Sequence, residues 1–317
     1  MSKAFLFPGQ GSQTVGMGKA LALAFPEARA VFAEIDEALG QQLSQLMSEG
    51  PQDELTLTAN AQPALFAASL AVIRVLESET GLKLARDASF VAGHSLGEYS
   101  ALCAAGSLGI AQAARLLRIR GRAMQEAVPV GAGAMAALLG LDCASARAIA
   151  EKAAAETGGG SVCEIANDNG GGQVVVSGSA GAVHRAVDIA KQQGARRSIL
   201  LPVSAPFHCS LMQPAADAMA EALAGAVIGP PCVPLVANVL AAPVSDPGQI
   251  RKLLVAQVTQ MVRWRESIEF IAASGVGLFF ECGAGKVLSG LIKRIAPPAK
   301  GISIGGPEDL EAFRATA

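Results

Sequence analysis

The sequence predicts an α/β protein: a parallel β-sheet covered by helices on both faces and interrupted by a small inserted subdomain. Three observations carry that reading. Short apolar runs alternate with longer helical patterns through the first 126 residues, the order expected where crossover helices join parallel strands. The pentapeptide Gly93-His94-Ser95-Leu96-Gly97 lies between a buried-strand pattern and a helix pattern. Residues 129–201 read β-α-β-β-α-β, the split βαβ order of ferredoxin-like subdomains.

In chain order, Ala4-Phe5-Leu6-Phe7 is a short apolar strand that stops at Pro8-Gly9-Gln10-Gly11-Ser12-Gln13. Helical patterns follow at about 16–24, 28–39 and 62–80. Residues 88–92 read as a buried strand, 98–105 as a helix and 110–126 as a longer helix. The texture changes after Pro129. A strand at 133–140, a helix at 143–156 and a strand near 161–166 come first. A strand at 173–178, a helix at 180–193 and a strand at 196–201 complete the insert. The core is therefore expected over 1–128 and 202–317, with the subdomain at 129–201. The glycine tracts at 158–160 and 170–172 lack the Lys-Ser/Thr of a phosphate loop and read as loop tips.

Composition narrows the function. With 51% apolar and 16% charged residues, the chain is globular rather than disordered. A net charge of -2, with no basic cluster interleaved with aromatics, argues against a nucleic-acid partner. The first apolar run is too short for a signal peptide. The longest uncharged stretch, 222–245, contains Pro230, Pro231, Pro234 and Pro243, so it is loop and strand rather than a membrane span. Six cysteines without Cys-x-x-Cys spacing read as reduced core thiols, not metal ligands. A soluble, cytoplasmic protein is expected.

The pentapeptide has the strand–turn–helix context that a nucleophilic serine requires. Flanking glycines permit a sharp turn that leaves the Ser95 hydroxyl exposed at a helix N-terminus. A hydroxyl needs a base to take its proton, and the chain has three histidines. His94 adjoins Ser95, but adjacent side chains diverge on such a turn, so it is expected to line the pocket. His184 sits on a helix of the insert and reads as a surface residue. His208, where the core resumes after an apolar strand, remains as the general acid/base. Between Ser95 and His208 no acid follows a core strand; Glu98 and Glu126 lie on helices. A Ser–His dyad, with the imidazole oriented by a neutral group, is the expectation.

On the 110–126 helix, Arg115, Arg118 and Arg122 fall within about 60° of arc and read as a solvated face. Arg120 points the other way, toward Ala113, Leu116, Leu117 and Met124. A guanidinium aimed into a core needs an anion or several acceptors. Either an acid of this chain or the carboxylate of a ligand satisfies that need, and helical geometry leaves both open. The Gly9-Gln10-Gly11 loop is similarly open. It is either a plain turn, or it brings the Gln10 N–H beside that of Leu96 as an oxyanion hole, where one donor is worth about 3–4 kcal/mol.

Phe7-Pro8-Gly9-Gln10-Gly11-Ser12-Gln13, Gly93-His94-Ser95-Leu96-Gly97-Glu98-Tyr99, Arg120-Gly121-Arg122-Ala123-Met124-Gln125 and Pro206-Phe207-His208 together resemble one family along essentially the whole chain. The likeness is to the malonyl-CoA:acyl carrier protein transacylases, the acyltransferases of fatty-acid and polyketide synthesis. It implies an α/β-hydrolase-like core with a ferredoxin-like insert, and ping-pong transfer of malonyl through a serine ester. By resemblance Ser95 is the nucleophile, His208 its base, and Arg120 the clamp on malonate's free carboxylate. Gln10 and Leu96 supply the oxyanion amides, and the Gln257 backbone carbonyl orients the histidine. Phe207 resembles the ring that selects malonyl in polyketide acyltransferases. The partners implied are malonyl-CoA and an acidic acyl carrier protein, with no metal or redox cofactor. Lys286, Lys293 and Arg294, or Arg196 and Arg197, are candidate docking cations or simply solvated faces.

A serine hydrolase shares the elbow, base and oxyanion hole, but would show a strand-end acid and no inward arginine. A non-catalytic scaffold for acyl carriers would not need Ser95, His208 and Arg120 together. The acceptor, a fatty-acid, polyketide or malonate-decarboxylase carrier, stays open, with the fatty-acid carrier favoured by the freestanding length. A monomer is expected.

Overall fold

The computed structural model describes residues 2–203 and 205–316. Alternation along the first strand already shows how the main sheet is buried. In β1 (Ser2–Phe7), Phe5 and Phe7 join one apolar core while Ala4 and Leu6 join another, all four fully buried. Side chains of one strand thus serve both faces, as the period of two requires. The remaining described strands, in chain order, are β2 (Phe90–Gly93), β3 (Gly133–Leu139), β4 (Cys163–Asp168) and β5 (Gln173–Ser179). There follow β6 (Arg197–Leu200), β7 (Leu235–Ala237), β8 (Ala242–Val244), β9 (Val276–Cys282) and β10 (Lys300–Ile304).

The main sheet has the order β10-β9-β1-β2-β7-β8. Neighbours are parallel except β7 and β8, which pair antiparallel. The all-parallel expectation is corrected to a mixed sheet. A four-residue connection between β7 and β8 is too short for a crossover, so the edge strand can only fold back. Helices Gly97–Ala104 and Thr58–Thr80 cover one face, with Ile110–Glu126 packed outside them, and Trp264–Ala273 and Val287–Ile295 cover the other. Thr58–Thr80 is long and apolar enough to cross a bilayer, but 83% of its apolar window is buried inside the protein.

The second sheet has the order β4-β5-β3-β6 and is antiparallel throughout. Helices Cys143–Thr157 and Ala180–Gln192 pack on one side of it, against Ala136, Leu138, Val174 and Val176. Met135, Ala137 and Val175 point the other way and join the core of the main body. The helix of residues 110–126 begins and ends where the periodicity places it. The apolar stretch 222–245 holds the end of a helix, then loop, β7 and β8.

Two sequence readings need correction. Arg118 is half-buried, because its Nη1 reaches across to Asn60 Oδ1 at 2.8 Å, whereas Arg115 and Arg122 are exposed. Cys232 is exposed and Cys143 only partly buried, so the thiols are free but not uniformly in the core.

Adjacent parallel strands bring their C-terminal ends together. Phe7 pairs with Gly93, and the His94 N–H donates to the Phe7 carbonyl at 2.9 Å, so the loops after β1 and β2 emerge side by side. A Cβ at Gly93 would overlap the backbone of Gly97 and Glu98, and one at Gly97 the Phe7 carbonyl. Gly93→Ala is therefore expected to destabilise the protein by about 3 kcal/mol or more, read as a fall in the urea midpoint at unchanged slope.

Candidate active site

Ser95 stands at the turn between β2 and the helix Gly97–Ala104, with φ of 54°. A non-glycine residue in the left-handed region costs on the order of 1–3 kcal/mol and persists only when its surroundings hold it. Two side chains do so. Asn238, immediately after β7, accepts the Ser95 N–H on Oδ1 at 2.8 Å and donates Nδ2 to the Gly93 carbonyl at 2.7 Å. Gln257 donates Nε2 to the Ser95 carbonyl at 2.9 Å. Both faces of the strained peptide are gripped.

His208 also has positive φ, 59°, and presents Nε2 to Ser95 Oγ at 2.7 Å. Its Nδ1 lies 2.8 Å from the Gln257 backbone carbonyl, which can only accept. Nδ1 therefore carries the proton and Nε2 offers its lone pair to the serine. No carboxylate contacts the ring among the described residues, as the missing strand-end acid implies. Burial pushes the imidazole down from its ordinary 6.5 to about 3, and the Arg120 charge adds to this.

Arg120 is 1% exposed, and its neighbours are neutral. Nη1 donates to Gln62 Oε1 at 2.8 Å, and Nη2 donates to Gln257 Oε1 at 2.8 Å and Ser95 Oγ at 3.2 Å. Nε is buried with no partner. Among the described residues no acid pairs with it, so the salt-bridge alternative left open by helical geometry does not hold. Gly121 allows this close packing: a Cβ there would meet the Thr58 carbonyl at 2.6 Å, on the helix that carries Gln62.

Ser95, His208, Arg120, Gln10, Leu96, His94 and Phe207 line one cavity of about 350 Å³, closed on the far side by Met135, Asn167 and Leu201 of the small sheet and its exit. Gln257 does not line the cavity and reaches the site through its hydrogen bonds to Arg120, Ser95 and His208. No protein acceptor takes the Gln10 or Leu96 N–H among the described residues. Gly9 packs on the elbow, since a Cβ there would meet the His94 carbonyl at 2.7 Å. His94 turns its Nε2 to Asn169 Oδ1 at 2.9 Å and tilts against Trp264, so it ties the elbow to the end of β4 and contributes no base. His184 is exposed on its helix. Among the described residues no group of three His, Cys, Asp or Glu side chains is placed to hold a metal.

Sequence reasoning missed Gln62, Asn238, Glu98 and the Gln257 side chain. Asn238 had one signal, a polar residue directly at the end of the buried run Leu235–Ala237. Glu98 had another, a charge on a helix whose residues 97–104 are otherwise uncharged.

The depressed His208 pKa has a consequence for stability. The unfolded chain binds a proton near 6.5 and the folded one only near 3, so stability is full above 6.5 and is lost as pH falls between those values. By pH 5 the loss from this group is about 2 kcal/mol. His208→Asn is expected to flatten the pH dependence of the urea midpoint between pH 7 and 5.

The acyl transferase domain family matches residues 4–295. The malonyl CoA-acyl carrier protein transacylase of Bacillus subtilis is 47% identical over 98% of this chain and 96% of its own length. That of Escherichia coli K12 is 46% identical over 98% and 97%. An acyl-carrier-protein-S-malonyltransferase from Bartonella henselae superposes with a TM-score of 0.96 at 58% identity, covering 100% of this chain and 99% of that one. A malonyl-transacylase solved in complex with a type II PKS acyl-carrier protein superposes at 0.95 with 43% identity and full coverage of both chains. With a Ser–His pair and a buried arginine in one cavity, and relatives this similar along nearly its whole length, the chain belongs to the acyl transferase family, among the malonyl CoA-acyl carrier protein transacylases.

Proposed function

We propose that the protein moves malonyl from malonyl-CoA to the phosphopantetheine thiol of an acyl carrier protein through an ester on Ser95. The observation that carries this reading is the buried Arg120, held by neutral groups 3.2 Å from Ser95 Oγ. A guanidinium with an unspent buried N–H beside a nucleophile suits an acyl group that ends in a carboxylate.

In this mechanism Ser95 Oγ attacks the thioester carbonyl while His208 Nε2 takes its proton. The tetrahedral oxyanion forms against the Gln10 and Leu96 N–H groups. Collapse breaks the C–S bond, and His208 returns the proton to the departing thiol of coenzyme A. The carrier thiol then gives its proton to His208 and attacks the malonyl ester, and the released Ser95 oxygen recovers the proton. The exchange of thioester for ester and back changes no oxidation state, so it requires no redox cofactor, and the two N–H groups serve the oxyanion where a metal otherwise would. The Gln257 carbonyl keeps the imidazole in the working tautomer, and Phe207 crowds the acyl α-carbon. His94 lines the pocket and positions the elbow.

At the finer level of fold, the β4-β5-β3-β6 order between two helices on one face supports a ferredoxin-like insert, bounded at 129 and 201. The parallel strands ending in a serine elbow support an α/β-hydrolase-like core over 1–128 and 202–317. A cytoplasmic monomer fits the composition.

The carrier is expected to dock beside a second, larger cavity of about 930 Å³. It brings together Arg196, Arg197 and Arg294, which the sequence offered as separate candidates, and none of them forms an ion pair among the described residues. Lys286 lines a different cavity. Asn167 and Asp168 are neighbours on β4, one facing the site and the other this basic cavity. An acidic protein held there would lie next to the cleft.

Intact-protein mass spectrometry after brief exposure to malonyl-CoA tests the chemistry. A malonyl adduct is expected on the wild type and absent from Ser95→Ala, and a carrier protein should discharge it faster than water does. Discharge by water alone would make the protein a hydrolase. Arg120→Ala is expected to lower the preference for malonyl over acetyl loading by about 10⁴-fold, and an equal loss on both would make Arg120 merely structural. Combined Arg196→Glu and Arg294→Glu should raise KM for the carrier about tenfold and leave the rate of Ser95 loading from malonyl-CoA unchanged.

A further inference from the structure

Glu98 is a buried acid that touches no cation among the described residues. It is 1% exposed, on the first turn of the helix that follows Ser95. One carboxylate oxygen accepts the Asn238 N–H at 2.5 Å and the other accepts Gln257 Nε2. The opposite end of the same amide, Gln257 Oε1, accepts from Arg120 Nη2 at 2.8 Å. Guanidinium, amide and carboxylate thus form a chain in which every donor points the same way.

A glutamine amide taken alone fits a cavity either way round, because its oxygen and nitrogen are nearly the same size. An ionised carboxylate only accepts, so together with the Ser95 carbonyl it captures the Nε2 end and leaves Oε1 for the guanidinium. The reversed amide would set N–H against N–H at Arg120 and oxygen against oxygen at Glu98. Burial pushes the Glu98 carboxyl up to about 8. Even so, both oxygens face N–H donors and neither faces an acceptor for a carboxyl proton, so we assign the carboxylate.

We infer that Glu98 is a positioning residue that, through the Gln257 amide, fixes how Arg120 is presented to the acyl carboxylate. The distance of one amide matters as much as the orientation. A carboxylate in direct contact would take two parallel N–H···O bonds from the guanidinium and occupy the donors a ligand needs. Set one amide away, Glu98 still offsets the buried positive charge, since Coulomb attraction falls only as the inverse of distance. It takes none of the arginine's N–H groups. Through Asn238 the same carboxylate also steadies the strained Ser95 peptide, so its removal affects the elbow and the clamp by separate routes.

The inference rests on the malonyl-transfer reading, and a double-mutant cycle separates the two. Rates of malonyl-serine and acetyl-serine formation are measured at pH 8.5 by quenched flow and intact mass for wild type, Glu98→Gln, Arg120→Ala and the double variant. Glu98→Gln is expected to slow malonyl loading about 10–100-fold with Arg120 present and less than about threefold with Arg120 removed. Acetyl loading, which makes no use of the clamp, is expected to fall less than malonyl loading. An equal fractional loss in both arginine backgrounds, or on both acyl groups, would overturn the inference and leave Glu98 as a support of the elbow alone. No loss at all would overturn it outright. Should thermal melting show Glu98→Gln unfolded, Gln257→Met cuts the same chain while keeping the backbone carbonyl on His208. It is expected to erode the malonyl preference, and full retention of that preference would overturn the inference. A wild type that forms no malonyl adduct would instead sink the transfer reading.

Discussion

A permanent positive charge buried beside a neutral imidazole is the constraint from which the rest of the site follows. Arg120 cannot shed its proton, and at 1% exposure it has little water to solvate it. Three neutral acceptors, Gln62, Gln257 and Ser95, supply the missing hydrogen bonds without cancelling the charge. The charge, offset only by Glu98 at the distance of one amide, leaves a field that does two things. It favours an anion in the cavity, and it adds to burial in holding His208 neutral near pH 7. The Nε2 lone pair is therefore free for the serine proton, and the buried guanidinium suits an acyl carboxylate.

Such an arrangement has to be held open against the tendency of arginine to find a partner. The fold does this with short amides rather than with mobile acids. Gln257 is the shared node: its backbone orients His208, its Oε1 receives Arg120, and its Nε2 reaches Ser95 and Glu98. Asn238 repeats the device on the other side of the elbow. Ser95 and His208 both occupy the left-handed region, and a strained pair of this kind stays aligned only if its surroundings are rigid. Apart from the half-buried Ser95, these groups are buried, which removes competing water and stiffens the network.

The two sheets divide the remaining work. Parallel strands β1, β2 and β7 end side by side, so Gln10, Ser95 and Asn238 emerge at one edge, as ligand sites do in open α/β sheets. The small sheet closes the cavity with Met135 and Asn167 and carries most of the basic cavity on the far side of β4. Its helices face away, leaving one surface free to pack against the main core.

Local pattern by itself determined the strand–turn–helix around Ser95, the helix of residues 110–126, the β-α-β-β-α-β order of the insert and the inward aim of Arg120. Those are properties of periodicity and of glycine at tight turns, which act over a few residues. It also identified His208, because only three histidines exist and two were badly placed. The family motifs supplied the Gln257 carbonyl, Gln10 and Phe207. Tertiary structure alone decided what Arg120 pairs with, since Gln62 and Gln257 lie 58 and 137 residues away along the chain. It decided likewise that Asn238, 143 residues from Ser95, holds the elbow, and that Arg196 and Arg294 share a cavity. A hydrogen bond depends on two atoms meeting within about 3 Å. Sequence periodicity says which face of an element is buried, and only the packing of one element on another says which polar atoms meet there.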